Sequence, residues 1–386
     1  MLNYADWDLT PEQRMIQSVV REFVDHEAVP LLPSCFEEGR FPHELIPGLA
    51  KMGLLGATIP EYGAGIDWMS YGLVCQELER GDSALRGFVS VQSALCMYPI
   101  WAFGSDEQKQ RYLPAMQRGE VIACFGLTEH DHGSDPGGMD TRATRDSDGS
   151  WVLNGAKMWI TNGSLADVAV VWARVREDDE DVVRGFLVDR DRHGFSANPV
   201  HRKLSMRASS TAELVFDDCR IPGDAILPGV RGLRGPLSCI NESRFCVASG
   251  VVGAAMSCYE TALEYSKTRV QWGRPIAGFQ LTQSKLVDAL QAVTQGQLLA
   301  YQLARLKEAG RLRAAQVSLA KRANCEMALN VARSMRSVLG GNGITLDYPI
   351  FRHMANLETV ATYEGTHEIQ TLIVGADITG LSAYEG

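Results

Sequence analysis

The apolar residues of this chain change their spacing twice, and that double change limits the folds open to it. Through the first third they recur at helical intervals. Thr10-Pro11-Glu12-Gln13 supplies an N-cap, a proline at the first helical position and a glutamine to close a capping box; Met15, Val19, Val20, Phe23 and Val24 follow on one face. A second helical segment is expected over 42–52, stopped by Gly53, and another opens at the capping box Ser105-Asp106-Glu107-Gln108. The middle reads as strands at 121–128, 151–153, 157–161, 168–175, 185–188 and 213–216, separated by turn signals such as Asn162-Gly163. The last third is helical again over 236–269, 281–309, 314–339 and 368–378, and Gly340-Gly341-Asn342-Gly343 ends one of these helices. Two helical blocks flanking a compact β domain leave clefts between domains, where small-molecule sites form.

The 386 residues carry a net charge of −10 and are 45% apolar, with no long basic run. Nucleic acid is therefore not an expected partner. The longest apolar stretches are broken by Gly, Ser or charge, so no membrane insertion is expected. Met1-Leu2-Asn3-Tyr4-Ala5-Asp6-Trp7 lacks the basic-then-apolar order of a signal peptide, and the nine scattered cysteines form no Cys-x-x-Cys pair. Buried free thiols in a reducing, cytoplasmic setting is the expectation.

Ala361-Thr362-Tyr363-Glu364-Gly365-Thr366-His367-Glu368-Ile369 carries the strongest chemical signal. Thr366 suits an N-cap, and Gly365 frees the backbone for a positive φ or for close approach to a ligand. Glu364 then lies just outside a helix start, where a partly dehydrated carboxylate can act as a general base. The ordinary alternative is a turn residue before an acidic first helical turn.

Three other stretches invite chemistry. Phe125-Gly126-Leu127-Thr128-Glu129, running into His130-Asp131-His132-Gly133-Ser134-Asp135, can bond the edge of a heterocycle and a phosphate-bearing chain, or form a polar surface loop. Its His-x-His pair falls short of a catalytic zinc set, and no metal is expected. Trp159 and Thr161, two apart on a strand, face one side and could flank a ring cofactor, although a core Trp has the same spacing. Arg269 and Arg274, with Gln280 beyond, could hold phosphate or compensate a helix C-terminus. No Rossmann or P-loop glycine pattern is present.

Taken in order, Cys124-Phe125-Gly126-Leu127-Thr128-Glu129, Gly133-Ser134-Asp135, Trp159-Ile160-Thr161-Asn162, Leu339-Gly340-Gly341-Asn342-Gly343-Ile344 and Tyr363-Glu364-Gly365-Thr366-His367-Glu368 resemble the acyl-CoA dehydrogenase family, and within it the glutaryl-CoA branch, from Leu9 to Ala383. The resemblance implies an α+β multi-domain fold: an N-terminal helical domain (1–120), a middle β-barrel or sandwich domain (121–230) and a C-terminal four-helix bundle (231–386), assembled as a homotetramer. FAD would lie between the β domain and the bundle. It would be contacted by Phe125, Leu127, Thr128, Gly133 and Ser134, flanked by Trp159, Ile160 and Thr161, and reached by Thr366 and Glu368. Arg269, Gln280, Leu339, Gly340 and Gly341 would reach the FAD of a neighbouring subunit. Glu364 matches the family's base, which takes the α-proton of a thioester while the β-hydride goes to the flavin.

Arg86 falls where the glutaryl branch holds a distal carboxylate; its ordinary alternative is an ion pair with Asp82 or Glu79. Glu79 and Tyr363 match residues of the decarboxylating members, which take glutaryl-CoA to crotonyl-CoA. Gly87, Ser134, Gly365 and the segment from Leu237 through Asn241 to Arg244 complete the implied acyl-CoA site. The chain departs from that branch in carrying Gly87 for a serine, Leu85 for a tyrosine and His130-Asp131-His132 for a Pro-Asn loop. These departures keep open another short, branched or dicarboxyl acyl-CoA, or an acyl-carrier thioester. A flavin monooxygenase on the same fold and a flavin-free acyl-CoA-binding protein are the readings from other classes. Electron-transferring flavoprotein is the implied electron acceptor.

Overall fold

A computed structural model describes residues 8–383; the segment Met1 to Trp7, on which the signal-peptide expectation rested, lies outside them. The first block comprises α1 (Pro11–Phe23), α2 (Leu32–Glu38), α3 (Ile46–Lys51), α4 (Trp68–Gly81), α5 (Ser83–Ser90), α6 (Tyr98–Phe103) and α7 (Asp106–Gln117). Both capping boxes form: Thr10 caps α1 and Ser105 caps α7. The helix α2 was not visible in the sequence pattern. Also unforeseen is the π-helical turn Val91–Met97 that carries α5 into α6.

The middle block is one seven-stranded mixed sheet: β1 (Ala123–Gly126), β2 (Arg142–Arg145), β3 (Trp151–Thr161), β4 (Val168–Glu177), β5 (Glu180–Asp189), β6 (Phe195–Pro199) and β7 (Thr211–Ile221). β1 runs parallel to the first half of β4, β5 pairs antiparallel along the other edge of β4, and β3 joins β2 to β7. The sequence pattern missed β2 and β6, whose residues are largely exposed and lack an apolar alternation. It also divided β3 in two. Register shifts at Leu153/Gly155 and Lys157/Ile160 interrupt that strand without ending it. One face of the sheet packs Phe125, Val168, Val170 and Trp172 against α6, α7 and the next helix; the other encloses Cys124, Trp151, Ile160, Phe186 and Phe216 between strands.

The last block consists of α8 (Arg234–Thr268), α9 (Gln280–Glu308), α10 (Ala314–Val338), α11 (Ile350–Thr362) and α12 (His367–Thr379), with a two-residue hairpin, β8 (Val270–Gln271) and β9 (Arg274–Pro275), between α8 and α9. α11 was not anticipated. Its polar buried residues Arg352, His353 and Asn356 break the apolar stripe that marks a helix in sequence. Contrary to the expectation from interrupted apolar stretches, α8 is long and apolar enough to cross a membrane by length and composition; 83% of that window is buried inside the protein, as the central helix of a core. α4 crosses α8 at glycine: a Cβ on Gly253 would lie 1.8 Å from the Gln76 carbonyl oxygen. All nine cysteines are free and buried, as expected.

Candidate active site

Glu364 sits in the break between α11 and α12 with φ 56, and Gly365 follows with φ 90. Thr366 caps α12 by accepting from Ile369 N at 3.2 Å. Three side chains clamp this loop. Lys321 Nζ on α10 donates to the carbonyls of Tyr363 (2.6 Å) and Gly365 (2.7 Å). Arg244 Nε on α8 donates to the Glu364 carbonyl at 2.9 Å, and Gln370 Nε2 donates to the carbonyls of Glu364 (3.1 Å) and Gly365 (2.9 Å). Glycine at 365 is required for space as well as for φ: a Cβ would lie 2.5 Å from Gln370 Nε2 and 2.7 Å from Arg244 Nη2.

Ser243 Oγ donates to Glu364 Oε1 at 2.8 Å, while Oε2 is buried with no partner. Burial pushes the Glu364 carboxyl up from the ordinary carboxylate range, against the opposing pull of Arg86, Ser243, Lys321 and Arg244. The site therefore presents one tethered and one bare carboxylate oxygen on a strained turn, which suits a general base.

Arg86, on α5 and 1% exposed, faces the same loop. Its Nε donates to Glu79 Oε2 on α4 at 2.7 Å, Nη1 donates to Ser90 Oγ at 2.9 Å, and Nη2 bonds the Tyr363 hydroxyl. Of the two ion-pair partners weighed from sequence, Glu79 is the one found. Asp82 instead caps α5 and binds Arg352 and Asn356 of α11, locking α5 to the bundle. Burial works against the Arg86 charge, but Glu79, Tyr363 and Glu364 outweigh it and hold it protonated. Space for the pair comes from Gly250 on α8, where a Cβ would lie 2.3 Å from Glu79 Oε2. At Gly87, the next residue of α5, a Cβ would meet Met206 Cε at an ordinary 3.8 Å, so a small side chain would fit there.

The structure thus brings Glu79, Arg86, Gly87, Asn241, Arg244, Tyr363, Glu364 and Gly365 to the meeting of α4, α5, α8, α10 and the 363–366 turn. Asn241 Oδ1 accepts from Arg244 Nη1 at 3.1 Å, and Leu237 is 39% exposed a turn further toward the start of α8. Lys321 and Gln370 were missed in the sequence, and Ser243, inside the 237–244 segment, was not singled out there. A signal existed for Lys321: it shares the buried stripe of α10 with Val317, Asn324, Cys325 and Ala328, an unusual place for a charge.

On the sheet, Trp159 has φ 66 at the register shift in β3 and is 59% exposed. Lys157 points into the sheet; strict alternation from it would bury Trp159 as well, and the bulge reverses the phase and turns the indole out. Met158 N donates to the Thr128 carbonyl at 2.8 Å, which sets Trp159 beside the end of β1. Thr161 is half-buried, whereas Phe125, Leu127 and Ile160 are core side chains; a ligand along this edge meets the backbone of these three more than their side chains. Gly133 and Ser134 are exposed in the turn that follows, and Glu368 is exposed in the first turn of α12.

Arg269, Gln280, Gly340 and Gly341 are exposed and Leu339 is buried at the opposite end of the bundle, where Asn342 Nδ2 meets the Tyr265 hydroxyl at 3.0 Å. Arg269 is 25 positions beyond Arg244 on α8, about 38 Å at 1.5 Å per residue. These five do not join the Glu364 site within one chain.

Among the described residues one group could hold a metal: Glu129, His132 and Asp140, rather than His130 and Asp131. Glu129 is already committed. It accepts from Lys157 Nζ (2.7 Å), Asp140 N (2.5 Å) and Thr141 N (3.0 Å). Burial disfavours its charge, but Lys157 and these N–H groups hold it down to about 2; burial in turn draws Lys157 down to about 8.

Comparison with known proteins agrees with this geometry. The acyl-CoA dehydrogenase N-terminal, middle and C-terminal domains match residues 10–120, 124–219 and 230–379. A glutaryl-CoA dehydrogenase from Mycobacterium smegmatis is 52% identical, superposes with a TM-score of 0.95 and covers 98% of this chain and 97% of that one. Another structure of a glutaryl-CoA dehydrogenase from the same organism, in complex with FADH2, is 48% identical with a TM-score of 0.97, covering 100% and 98%. The human mitochondrial short-chain specific acyl-CoA dehydrogenase is 34% identical over 97% of this chain and 92% of its own. With a poised glutamate on the turn before α12, a helical–sheet–helical order and these matches from end to end, the chain belongs to the acyl-CoA dehydrogenase family of oxidoreductases.

Proposed function

We propose that this protein dehydrogenates an acyl-CoA thioester at its α and β carbons, with FAD as cofactor, and that the acyl group is glutaryl or a close dicarboxyl analogue. One observation carries the substrate assignment: a buried arginine, Arg86, bonds Tyr363 of the turn that carries Glu364 and keeps N–H groups to spare. A guanidinium has five N–H donors. Glu79, Ser90 and Tyr363 take one each, and the remaining N–H groups on Nη1 and Nη2 suit a distal carboxylate as a fork.

The residues fit a flavin. The outward Trp159 and the Thr128 end of β1 offer a face and polar edge for a planar ring, and the bare Oε2 of Glu364 offers a base. FAD, when bound, supplies the hydride acceptor. Glu364 Oε2 takes the α-proton while Ser243 steadies Oε1. The Glu364 backbone N–H polarises the thioester carbonyl and so acidifies that proton. Leu237, Asn241, Arg244 and Ser134 line the approach for the CoA arm. In the decarboxylating version the dehydrogenated acyl group loses the distal carboxylate held at Arg86 as CO2; the electron pair of the broken C–C bond passes into the unsaturated thioester, and the proton that Glu364 took from the α carbon returns at the γ carbon, with Glu79 and Tyr363 around the departing group.

On this reading the protein assembles as a homotetramer in which Arg269, Gln280 and Leu339 to Gly341, at the end of the bundle away from Glu364, would reach the flavin of a neighbouring subunit. Electron-transferring flavoprotein is the proposed acceptor of the electrons.

The test is anaerobic mixing of the FAD-loaded protein with glutaryl-CoA and, separately, butyryl-CoA. Flavin bleaching by glutaryl-CoA that Arg86→Gln weakens far more than bleaching by butyryl-CoA is expected. Bleaching by butyryl-CoA alone would remove the dicarboxyl assignment.

A further inference from the structure

The loop that carries Glu364 depends on a lysine that no motif points to. Of the three clamping side chains, Lys321 is the one that bonds carbonyls on both flanks of Glu364, those of Tyr363 and Gly365. The residue between those carbonyls holds φ 56, a conformation unfavourable for a side chain larger than glycine unless its surroundings enforce it. Lys321 is 1% exposed, and its ammonium bonds those two backbone carbonyls. A buried ammonium is costly to keep, and a methionine of similar length would fill its place without the charge but also without the bonds to these carbonyls. We propose that Lys321 is a positioning residue for Glu364: by binding the carbonyls on either side, its ammonium fixes the left-handed turn that aims the carboxylate, and its charge faces that carboxylate. The inference rests on the dehydrogenase reading above for its catalytic meaning but not for its first test.

The charged and titratable surroundings are few. Glu364 faces Arg86 of α5, Arg244 of α8 and Lys321 of α10, with Tyr363 beside it and Glu79 of α4 behind Arg86; Lys321 faces Cys325 on its own helix as well as Glu364, Arg244 and Arg86. Burial pulls Lys321 down from the ordinary lysine range. Removing its charge takes away one of three cations that favour the ionised Glu364, so the carboxyl must titrate at higher pH.

The experiment compares Lys321→Met and Lys321→Arg with the wild-type holoenzyme. An infrared pH titration of the Glu364 carboxyl stretch, assigned with Glu364→Gln, needs no substrate. The expected result is a midpoint moved to higher pH in Lys321→Met and restored toward wild type in Lys321→Arg, with FAD content unchanged. Flavin reduction by the active thioester should then fall about 100-fold in Lys321→Met, the size of loss that follows a small misplacement of a reacting group. An unmoved midpoint in Lys321→Met overturns the proposal. So does equal loss of fold and FAD in both variants, which would make Lys321 merely structural. If no thioester reduces the wild-type flavin, the dehydrogenase reading fails and the infrared comparison still decides the role of Lys321.

Discussion

Arg86 Nε and Glu79 Oε2 meet at 2.7 Å with both side chains sealed from water, and the second Glu79 oxygen is left without a partner. The pair bridges α4 and α5 against the bare backbone of Gly250. Gly250→Ala should drive a methyl into that contact, where it would lie 2.3 Å from Glu79 Oε2 and 3.1 Å from Arg86 Cδ. Overpacking of this kind costs about 1–3 kcal/mol. Denaturant unfolding should register that loss, and the discrimination between glutaryl-CoA and butyryl-CoA should narrow with it. A variant of unchanged stability and selectivity would show that the two side chains have room to move aside.

Glu364→Gln keeps the shape of the turn and the bond to Ser243 but removes the base. Flavin reduction should fall by about 10²–10⁴-fold, the range that a general base contributes, with FAD retained. In the wild type the sign of the pH dependence follows from burial raising the carboxyl. The base works ionised, so flavin reduction should rise with pH through a midpoint above the ordinary carboxylate range. A midpoint at or below that range, measured by stopped-flow reduction across pH, contradicts the assignment.

Trp159 offers a test that separates a ligand face from a core. Its 59% exposure means that Trp159→Ala should change the unfolding free energy of the apoprotein by about 0.5 kcal/mol or less, where loss of a core Trp costs about 3–5 kcal/mol. FAD retention through gel filtration should nevertheless drop. The two measurements together distinguish the outward indole of the bulged strand from a buried one.

Glu129 and Lys157 stake the stability of the sheet on one pair. Glu129→Gln leaves the Lys157 ammonium buried without its carboxylate, a change that costs about 3–5 kcal/mol. The pH dependence runs the same way: the folded-state carboxyl sits at about 2 against an ordinary 4.5. Its contribution is therefore complete above that ordinary value and is lost as the pH falls toward 2. Acid unfolding followed by tryptophan fluorescence should begin at higher pH in Glu129→Gln, and an unchanged acid limb would place the acid-sensitive group elsewhere.

The order of helical, strand and helical blocks was legible because amphipathic periodicity is a local property. So were the caps at Thr10, Ser105 and Thr366, whose side chains bond donors three residues away. Glu364 was legible for the same reason: a glycine and an N-cap beside it mark a break wherever the chain folds. By contrast β2, β6 and α11 lacked a local signature, since exposed strands and a helix with Arg352, His353 and Asn356 inside are defined by their neighbours. The partner of Arg86 could not be read either. Asp82 is nearer in sequence than Glu79, but Arg352 and Asn356, some 270 residues away, claim it. Tertiary structure alone decided that Lys321, Arg244 and Gln370 converge on one turn and that Trp159 faces outward. Those outcomes depend on which helices cross and where a strand bulges, and such long-range contacts leave no periodic trace along the chain.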